Sequence, residues 1–172
     1  MGQAGRTSRV AAALVAAQFS LIGLCLLPVG PTVGPGARGL GLALLGVAGL
    51  VGILAFAALG SDTRVSPVPA QRSTLRTSGI YRVVRHPMYA AVLLACLGVV
   101  VSSARVLALV ALAALMIVLH LKAGFEDRLL RARYGAPFDD YRARVPAILP
   151  GLPFRPAPLP GQRPSQLERP GG

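Results

Sequence analysis

Four long apolar runs constrain this chain more than any other feature. They cover roughly residues 10–27, 40–59, 88–103 and 106–121, and none contains Lys, Arg, Asp or Glu. The first two approach the ~20 residues that a helix needs to cross ~30 Å of hydrocarbon. Only the short connection Ser102–Arg105 separates the last two, which predicts a tight helical hairpin. We therefore expect an all-α membrane protein with about four transmembrane helices and a cytoplasmic C-terminal helical segment.

The composition supports a membrane location. The 172-residue chain has a mean hydropathy of +0.61, 53% hydrophobic residues and only 14% charged residues, which is too apolar for an ordinary soluble domain. Its net charge is +12, but aromatic residues make up only 5% of the chain and form no stacking surface between the basic residues. The charge therefore indicates membrane orientation and contact with anionic membrane lipid, and we expect no nucleic acid partner.

The basic residues are distributed unevenly between the predicted loops. Of the 18 Lys and Arg residues, only Arg38 and Arg105 fall in the two loops that share one side, so sixteen fall on the other. The positive-inside rule then places both termini in the cytoplasm. The first apolar run is longer than a usual signal-peptide core and no cleavage pattern follows it, so we expect a retained anchor. The prediction is a multi-pass protein of a bacterial inner or plasma membrane.

The pattern divides the chain into four parts. Residues 1–59 are predicted to form two N-terminal transmembrane helices, and residues 60–87 a cytoplasmic loop. Residues 88–149 are predicted to form the hairpin and a cytoplasmic cofactor-binding segment. Residues 150–172 contain seven prolines among Gly and polar residues, which predicts a disordered tail.

Small residues in the apolar runs favour structural roles. Gly46, Gly49 and Gly52 lie on one helical stripe, which predicts a helix-packing face. Cys25 and Cys96 lie within apolar runs, where free cysteine behaves as a small hydrophobe. We therefore predict no disulfide and no metal site.

Polar residues gather at the entrance to the third apolar run, in the segment Ser78–Tyr89 (SGIYRVVRHPMY). Pro87 suits the first position of a helix, which would make His86 the N-cap. The free amides of Met88–Ala90 would then offer a site for a carboxylate, with Tyr89 one turn from the cap. The alternative is that His86 only caps the helix and Tyr89 is an interfacial anchor.

A second polar group follows the fourth apolar run. Glu126 and Asp127 are two of only six acidic residues in the chain. A carboxylate near a lipid-facing cleft needs a positive partner, either Lys122 one turn earlier or the ammonium of a ligand that also carries a ribose diol. A solvated acid among arginines is the alternative. This segment is predicted to be an amphipathic helix, either a continuation of the fourth apolar helix or a re-started one, because helical spacing relates Lys122, Glu126, Leu129, Leu130 and Arg133.

These motifs occur in a recognisable order. RHPMY at 85–89 is followed by FEDRLL at 125–130, YG at 134–135 and DYRARVP at 140–146. The order resembles the isoprenylcysteine carboxyl methyltransferase family, which includes bacterial relatives and phospholipid methyltransferases. The resemblance spans residues 78–146 and implies an integral-membrane enzyme that uses S-adenosyl-L-methionine.

The resemblance also implies roles for individual residues. The positions that match the family's cofactor-binding residues are His86, Tyr89, Glu126 and Asp127. Arg85 and Arg144 match the family's arginines near the polar end of the substrate. The resemblance therefore makes them the candidate catalytic residues. The chain departs from the family pattern at Asp127, where a second Glu is usual, at Phe138, where Tyr is usual, and at Ala91, where Gly often stands.

The implied reaction is methyl transfer by in-line displacement to a lipophilic acceptor such as a prenylcysteine carboxylate. A phospholipid amine, an isoprenoid acid and a small thiol are alternative acceptors, because the first two apolar runs carry no motif that selects one. A non-catalytic four-helix membrane protein that binds lipid or a partner is the alternative from another class. The sequence does not determine the oligomeric state.

Overall fold

A computed structural model describes residues 3–59 and 75–149. Within these ranges the chain is helical and contains no strand. A short 3₁₀ turn, Gly79–Arg82, precedes the third helix. The α-helices are α1 (Gln3–Leu26), α2 (Arg38–Leu59), α3 (Pro87–Ser103), α4 (Val106–Tyr134) and α5 (Ala136–Arg144).

Three of the described helices are long and apolar enough to cross a membrane. The apolar spans are Ser8–Leu26 in α1, Arg38–Ala58 in α2 and Val106–Tyr134 in α4, whereas α3 is a shorter apolar helix of 17 residues. Large apolar side chains on the outer faces are exposed, including Phe19 and Ile117. Lipid can cover such a surface. The predicted all-α membrane fold is confirmed, and α4 continues without a break beyond the apolar run.

The connections at one end of the bundle hold each other in place. Helix α3 ends where Ala104 adopts a left-handed conformation (φ 49°), and α4 begins two residues later. The amide of Val33, in the loop between α1 and α2, donates to the Ala104 carbonyl at 2.8 Å, and that of Val106 donates to Pro31 at 3.0 Å. The loop between α1 and α2 therefore packs on the hairpin turn, so both connections lie at one end.

Helices α2 and α3 approach each other through glycines other than the predicted ones. A Cβ atom added to Gly41 would lie 2.6 Å from the carbonyl oxygen of Gly98, so only glycine permits this approach. Gly46 and Gly49 are exposed with no neighbour within 4 Å, and Gly52 has only one contact, at 3.8 Å. The prediction of a packing stripe was wrong for Gly46 and Gly49, because the residues of α2 that are buried, Gly41, Ala48 and Ala55, lie on a different face of the helix.

The main apolar core lies between α1, α3 and α4. Leu115 and Leu119 of α4 are fully buried, and Cys25 of α1 packs with Cys96 of α3. Both cysteines are free, and the Cys25 thiol lies 3.7 Å from the Cys96 carbonyl oxygen.

After α5 the chain returns to the core formed by α1, α3 and α4. We call residues Val145–Leu149 the return segment. Its Ala147 and Ile148 are buried in the main core, whereas Val145 packs with Phe138 and Tyr141 of α5. The predicted disordered tail and most of the predicted loop, residues 60–74, lie outside the described residues.

Candidate functional site

The length of α4 determines where its acidic residues lie. A helix of 29 residues extends about 43 Å, more than the ~30 Å hydrocarbon thickness. Glu126 and Asp127 lie about 30 Å along α4 from Val106, which is one hydrocarbon thickness from its start. Helix α3 runs antiparallel to α4 and begins at Pro87, so its first residues meet this part of α4. Residues distant in sequence therefore converge where α3 begins, beside the last third of α4.

His86 lies between the two carboxylates of α4. Its Nε2 atom is 2.9 Å from Asp127 Oδ1, and its Nδ1 atom is 3.4 Å from Glu126 Oε2. Burial lowers the pKa of His86, but hydrogen bonds to Asp127 and Glu126 and their negative charges outweigh that effect, so the pKa lies above its ordinary value. With an acceptor at each ring nitrogen, the geometry favours the doubly protonated imidazolium.

Tyr89 completes this arrangement from the first turn of α3. Its hydroxyl donates a hydrogen bond to Glu126 Oε1, and its ring stacks on the His86 ring with centroids 5.3 Å apart. The Glu126 side chain is 18% exposed, compared with 5% for Asp127. Glu126 is therefore the carboxylate that a ligand can reach, whereas Asp127 is enclosed by protein.

Asp127 forms a buried ion pair with Arg85. Arg85 Nη2 donates to Asp127 Oδ2 at 2.8 Å, and the side chains are 2% and 5% exposed. Arg85 Nη1 donates to the carbonyl oxygens of Arg142, at 3.1 Å, and Val145. Both terminal nitrogens of Arg85 are thus engaged within the protein. Arg142 Nε lies 3.8 Å from Asp127 Oδ2, which is close enough for charge attraction but too far for a hydrogen bond.

The return segment fixes the backbone of the same motif. The Arg85 amide donates to the Pro146 carbonyl at 2.9 Å, and the His86 amide donates to the Ala147 carbonyl at 2.8 Å. Since Ala147 is buried in the main core, these bonds join the motif to the packed interior. The orientation of Arg85 and His86 therefore depends on residues about sixty positions later in the chain.

The start of α3 differs from the prediction. His86 is the N-cap, but its side chain makes no capping hydrogen bond. Its carbonyl oxygen accepts from the amides of Tyr89, at 3.0 Å, and Ala90, at 3.2 Å. The prediction that the amides of Met88–Ala90 are all free for a carboxylate was wrong, because the helix itself uses the last two.

A further polar contact lies deeper in the bundle. Lys122 Nζ donates to Gln18 Oε1 of α1 at 2.8 Å, and both residues are buried. The predicted alternatives for Lys122 and Glu126 did not include this partner. Two sequence signals point to this contact: Gln18 is the largest polar residue within the first apolar run, and Lys122 is the only lysine of the chain.

The structure brings most of the predicted site residues together but leaves one outside. Arg144 is exposed, and its Nε donates to the Asp140 carbonyl of its own helix at 3.1 Å. Sequence reasoning missed Arg142, two positions earlier, which approaches Asp127. Phe138, a departure from the family pattern, is fully buried against Tyr141. The residues brought together are Arg85, His86, Tyr89, Glu126 and Asp127.

Comparison with known protein families is consistent with this geometry. The sequence matches the phospholipid methyltransferase family over residues 37–137. The chain belongs to that family. The matched region contains α2, α3 and α4, and with them the contacts of His86 with Glu126 and Asp127. Gln18, Arg142 and the return segment lie outside the region that the phospholipid methyltransferase family shares with this chain.

A curated relative has a named activity. The chain is 38% identical over 81 residues to methanethiol S-methyltransferase 2 of Bradyrhizobium diazoefficiens. The aligned region covers 46% of this chain and 30% of that protein, so the chain matches less than a third of the relative's length.

Proposed function

We propose that this protein is a membrane methyltransferase that takes its methyl group from S-adenosyl-L-methionine and transfers it to a small or lipophilic acceptor. We further propose that both termini and the site face the cytoplasm, as the distribution of basic residues favours. This orientation would give the site access to the cytosolic cofactor.

One observation carries the proposal. His86 and Tyr89 of α3 converge on Glu126 of α4 at the membrane boundary, and Glu126 is partly exposed. A membrane protein without a ligand at this place would have little use for a reachable carboxylate among polar side chains. The family membership supplies the reaction class.

The donor set suits the cofactor. S-Adenosyl-L-methionine carries an ammonium, a carboxylate and a ribose diol, and when bound it supplies a sulfonium-activated methyl group. Glu126 can accept hydrogen bonds from an ammonium or a diol, and Tyr89 can donate or accept. The Arg142 side chain is 18% exposed and lies beside Asp127, so its positive charge can attract the carboxylate of the cofactor. The two signs of charge at this site match those of the ligand.

Asp127 and Arg85 position the side chains that we propose contact the cofactor. Asp127 holds Arg85 and His86, so we assign it to orientation of the site and not to direct ligand contact. Arg85 has no free terminal nitrogen, so we assign it the same role. These residues fix the side chains that bind the cofactor, and such positioning in a water-poor site can lower a displacement barrier by several kcal/mol. We assign no ligand contact to Arg144, which is exposed.

The acceptor is the finer part of the proposal. The relative from Bradyrhizobium diazoefficiens is named for S-methylation of methanethiol, which favours a small thiol over a prenylcysteine carboxylate or a phospholipid amine. The geometry of Arg85 agrees with a small thiol, because bidentate contact with a carboxylate needs an accessible guanidinium edge. Both terminal nitrogens of Arg85 are engaged and its Nε is buried.

Binding of S-adenosyl-L-methionine to the detergent-solubilised protein tests the proposal. We expect binding by isothermal titration calorimetry, followed by transfer of a labelled methyl group to a small alkyl thiol. Arg128→Gln, an exposed change on the same helix, is the matched control. A folded wild-type protein that binds no cofactor would instead support the non-catalytic alternative.

A further inference from the structure

Lys122 is an unusual residue in this chain. The sequence contains seventeen arginines but only this one lysine. Lys122 is 7% exposed and lies about 24 Å along α4 from Val106, within the thickness of the hydrocarbon. An ammonium at such a depth is unfavourable and usually marks a functional site.

Three helices place this ammonium. Its Nζ atom donates to Gln18 Oε1 of α1 at 2.8 Å and lies 4.9 Å from the ring centroid of Tyr89 on α3. Glu126 follows one turn later on α4 and carries the opposite charge. Lys122 therefore lies next to the proposed cofactor residues, on their membrane side.

A purely structural role would not require a charge here. Gln18 is neutral and offers one carbonyl oxygen to an ammonium that has three donors. A Gln–Gln or an apolar pair would link α1 to α4 without a buried cation. The chain uses arginine for every other cation, including the buried Arg85, so the lysine is a departure from its own pattern.

The charges of the site favour an anionic acceptor. Near the two carboxylates, Glu126 and Asp127, lie the side chains of Arg85, Arg142, Lys122 and His86, of which His86 favours its charged form. The cofactor's sulfonium adds a further positive charge. A protonated amine would be repelled in this environment, whereas an anion would be stabilised.

The form of the cation distinguishes between anions. The planar fork of a guanidinium suits the two oxygens of a carboxylate, but Arg85 already uses both terminal nitrogens. An ammonium is a compact point charge and suits an anion centred on one atom. We propose that Lys122, held by Gln18, binds the sulfur of a thiolate acceptor beside the cofactor. This inference rests on the proposed function and specifies its acceptor.

The proposed transfer is balanced without another reactant. The acceptor thiol loses its proton to solvent, and Lys122 stabilises the thiolate as an ion pair. A lone pair of the thiolate sulfur forms the new bond to the methyl carbon. The bond from that carbon to the sulfonium sulfur breaks, and its electron pair remains on the cofactor as a neutral thioether.

The single lysine permits a direct test that does not depend on turnover. Protein labelled with ¹⁵N only at the lysine side-chain nitrogen gives one side-chain NMR signal, from Lys122. With S-adenosylhomocysteine bound, titration with a small alkyl thiol should shift this signal saturably, and ethanolamine should not shift it. A signal unchanged by thiol in protein that binds S-adenosylhomocysteine would overturn the inference and leave the proposed function intact.

Kinetics of two variants give the second test. Lys122→Gln removes the charge and keeps a polar side chain, whereas Lys122→Arg keeps the charge. We expect Lys122→Gln to lower kcat/KM for the thiol about ten- to a hundredfold, the loss typical of a charge-assisted contact, with cofactor affinity unchanged. Lys122→Arg should retain part of the activity, and Arg128→Gln should behave like wild type.

Two results of the kinetic test would contradict the inference. If folded Lys122→Gln protein loses cofactor affinity as much as thiol activity, Lys122 belongs to the cofactor site. If its thiol kinetics equal those of wild type, the Lys122–Gln18 contact only joins α1 to α4. Absence of cofactor binding by the wild-type protein would instead refute the proposed function.

Discussion

Asp127→Asn and Glu126→Gln should have different effects, although the two acids are adjacent in sequence. Asp127 is enclosed by Arg85 at 2.8 Å and His86 at 2.9 Å, and its side chain is 5% exposed. Glu126 is 18% exposed. We therefore expect Asp127→Asn to destabilise the fold and Glu126→Gln to weaken cofactor binding.

The magnitudes follow from burial. Removing one partner of a buried ion pair costs about 3–5 kcal/mol, because the other charge remains buried. Arg85 is the charge that remains, with its side chain 2% exposed. Asparagine still offers one acceptor oxygen, so we expect the lower end, about 3 kcal/mol. The contact of Glu126 with Tyr89 is partly solvated, and its weakening should cost about 1 kcal/mol.

Thermal unfolding in detergent and calorimetric cofactor titration separate these effects. At about 2–4 °C per kcal/mol for a chain of this size, Asp127→Asn should lower Tm by roughly 6–12 °C. Glu126→Gln should change Tm by only a few degrees but weaken cofactor binding about ten- to a hundredfold. Equal Tm losses in the two variants, or an unchanged cofactor affinity in folded Glu126→Gln, would refute the division of roles between these acids.

Three further outcomes are expected. The pKa of His86 is raised in the folded protein, so its charged form stabilises the fold. This stabilisation is complete below the unfolded pKa of about 6.5 and is lost as pH rises through the folded pKa. We therefore expect Tm to fall over that pH range, and we expect His86→Gln to make Tm less dependent on pH. A cysteine reporter at Arg105 should be labelled from outside the cell and one at Arg76 should not; the reverse pattern would contradict the proposed orientation. Arg85→Lys should lower the rate of methyl transfer, because an ammonium cannot reproduce the three directed contacts of the guanidinium. Arg144→Lys should leave the rate within about twofold of wild type. Equal losses in the two variants would show that Arg144 also acts in the site.

The sequence predicted the features that depend on local pattern. The apolar runs predicted the helices because a membrane span has a fixed length, and Pro87 predicted the start of α3 because proline needs no amide partner. The spacing of Glu126 within an amphipathic pattern predicted a helix after the fourth apolar run, and the structure shows that this helix is an unbroken part of α4. Each of these inferences uses residues within one helix and needs no contact between helices.

Features that depend on contacts between helices could not be obtained in this way. Arg142 approaches Asp127 because α5 turns back after Gly135, whose positive φ of 60° sets the chain direction. Sequence spacing does not distinguish Arg142 from Arg144. Likewise, which glycines meet depends on the face that α2 turns toward α3, and the contact is made by Gly41 and Gly98.

The distribution of charge across the site suggests why its two acids are adjacent on one helix. Asp127 faces inward, where Arg85 and His86 neutralise it, and this inner group fixes the imidazole ring. Glu126 meets the other edge of that ring and remains partly exposed. The imidazolium thus connects a buried charge pair to a carboxylate that can bind a ligand. Because neighbouring residues on a helix point about 100° apart, one helix can supply both the support and the contact. A change in Asp127 should therefore affect the edge of the His86 ring that faces Asp127 more than the edge that faces Glu126. In NMR spectra of Asp127→Asn, the signal of His86 Nε2 should shift more than that of Nδ1.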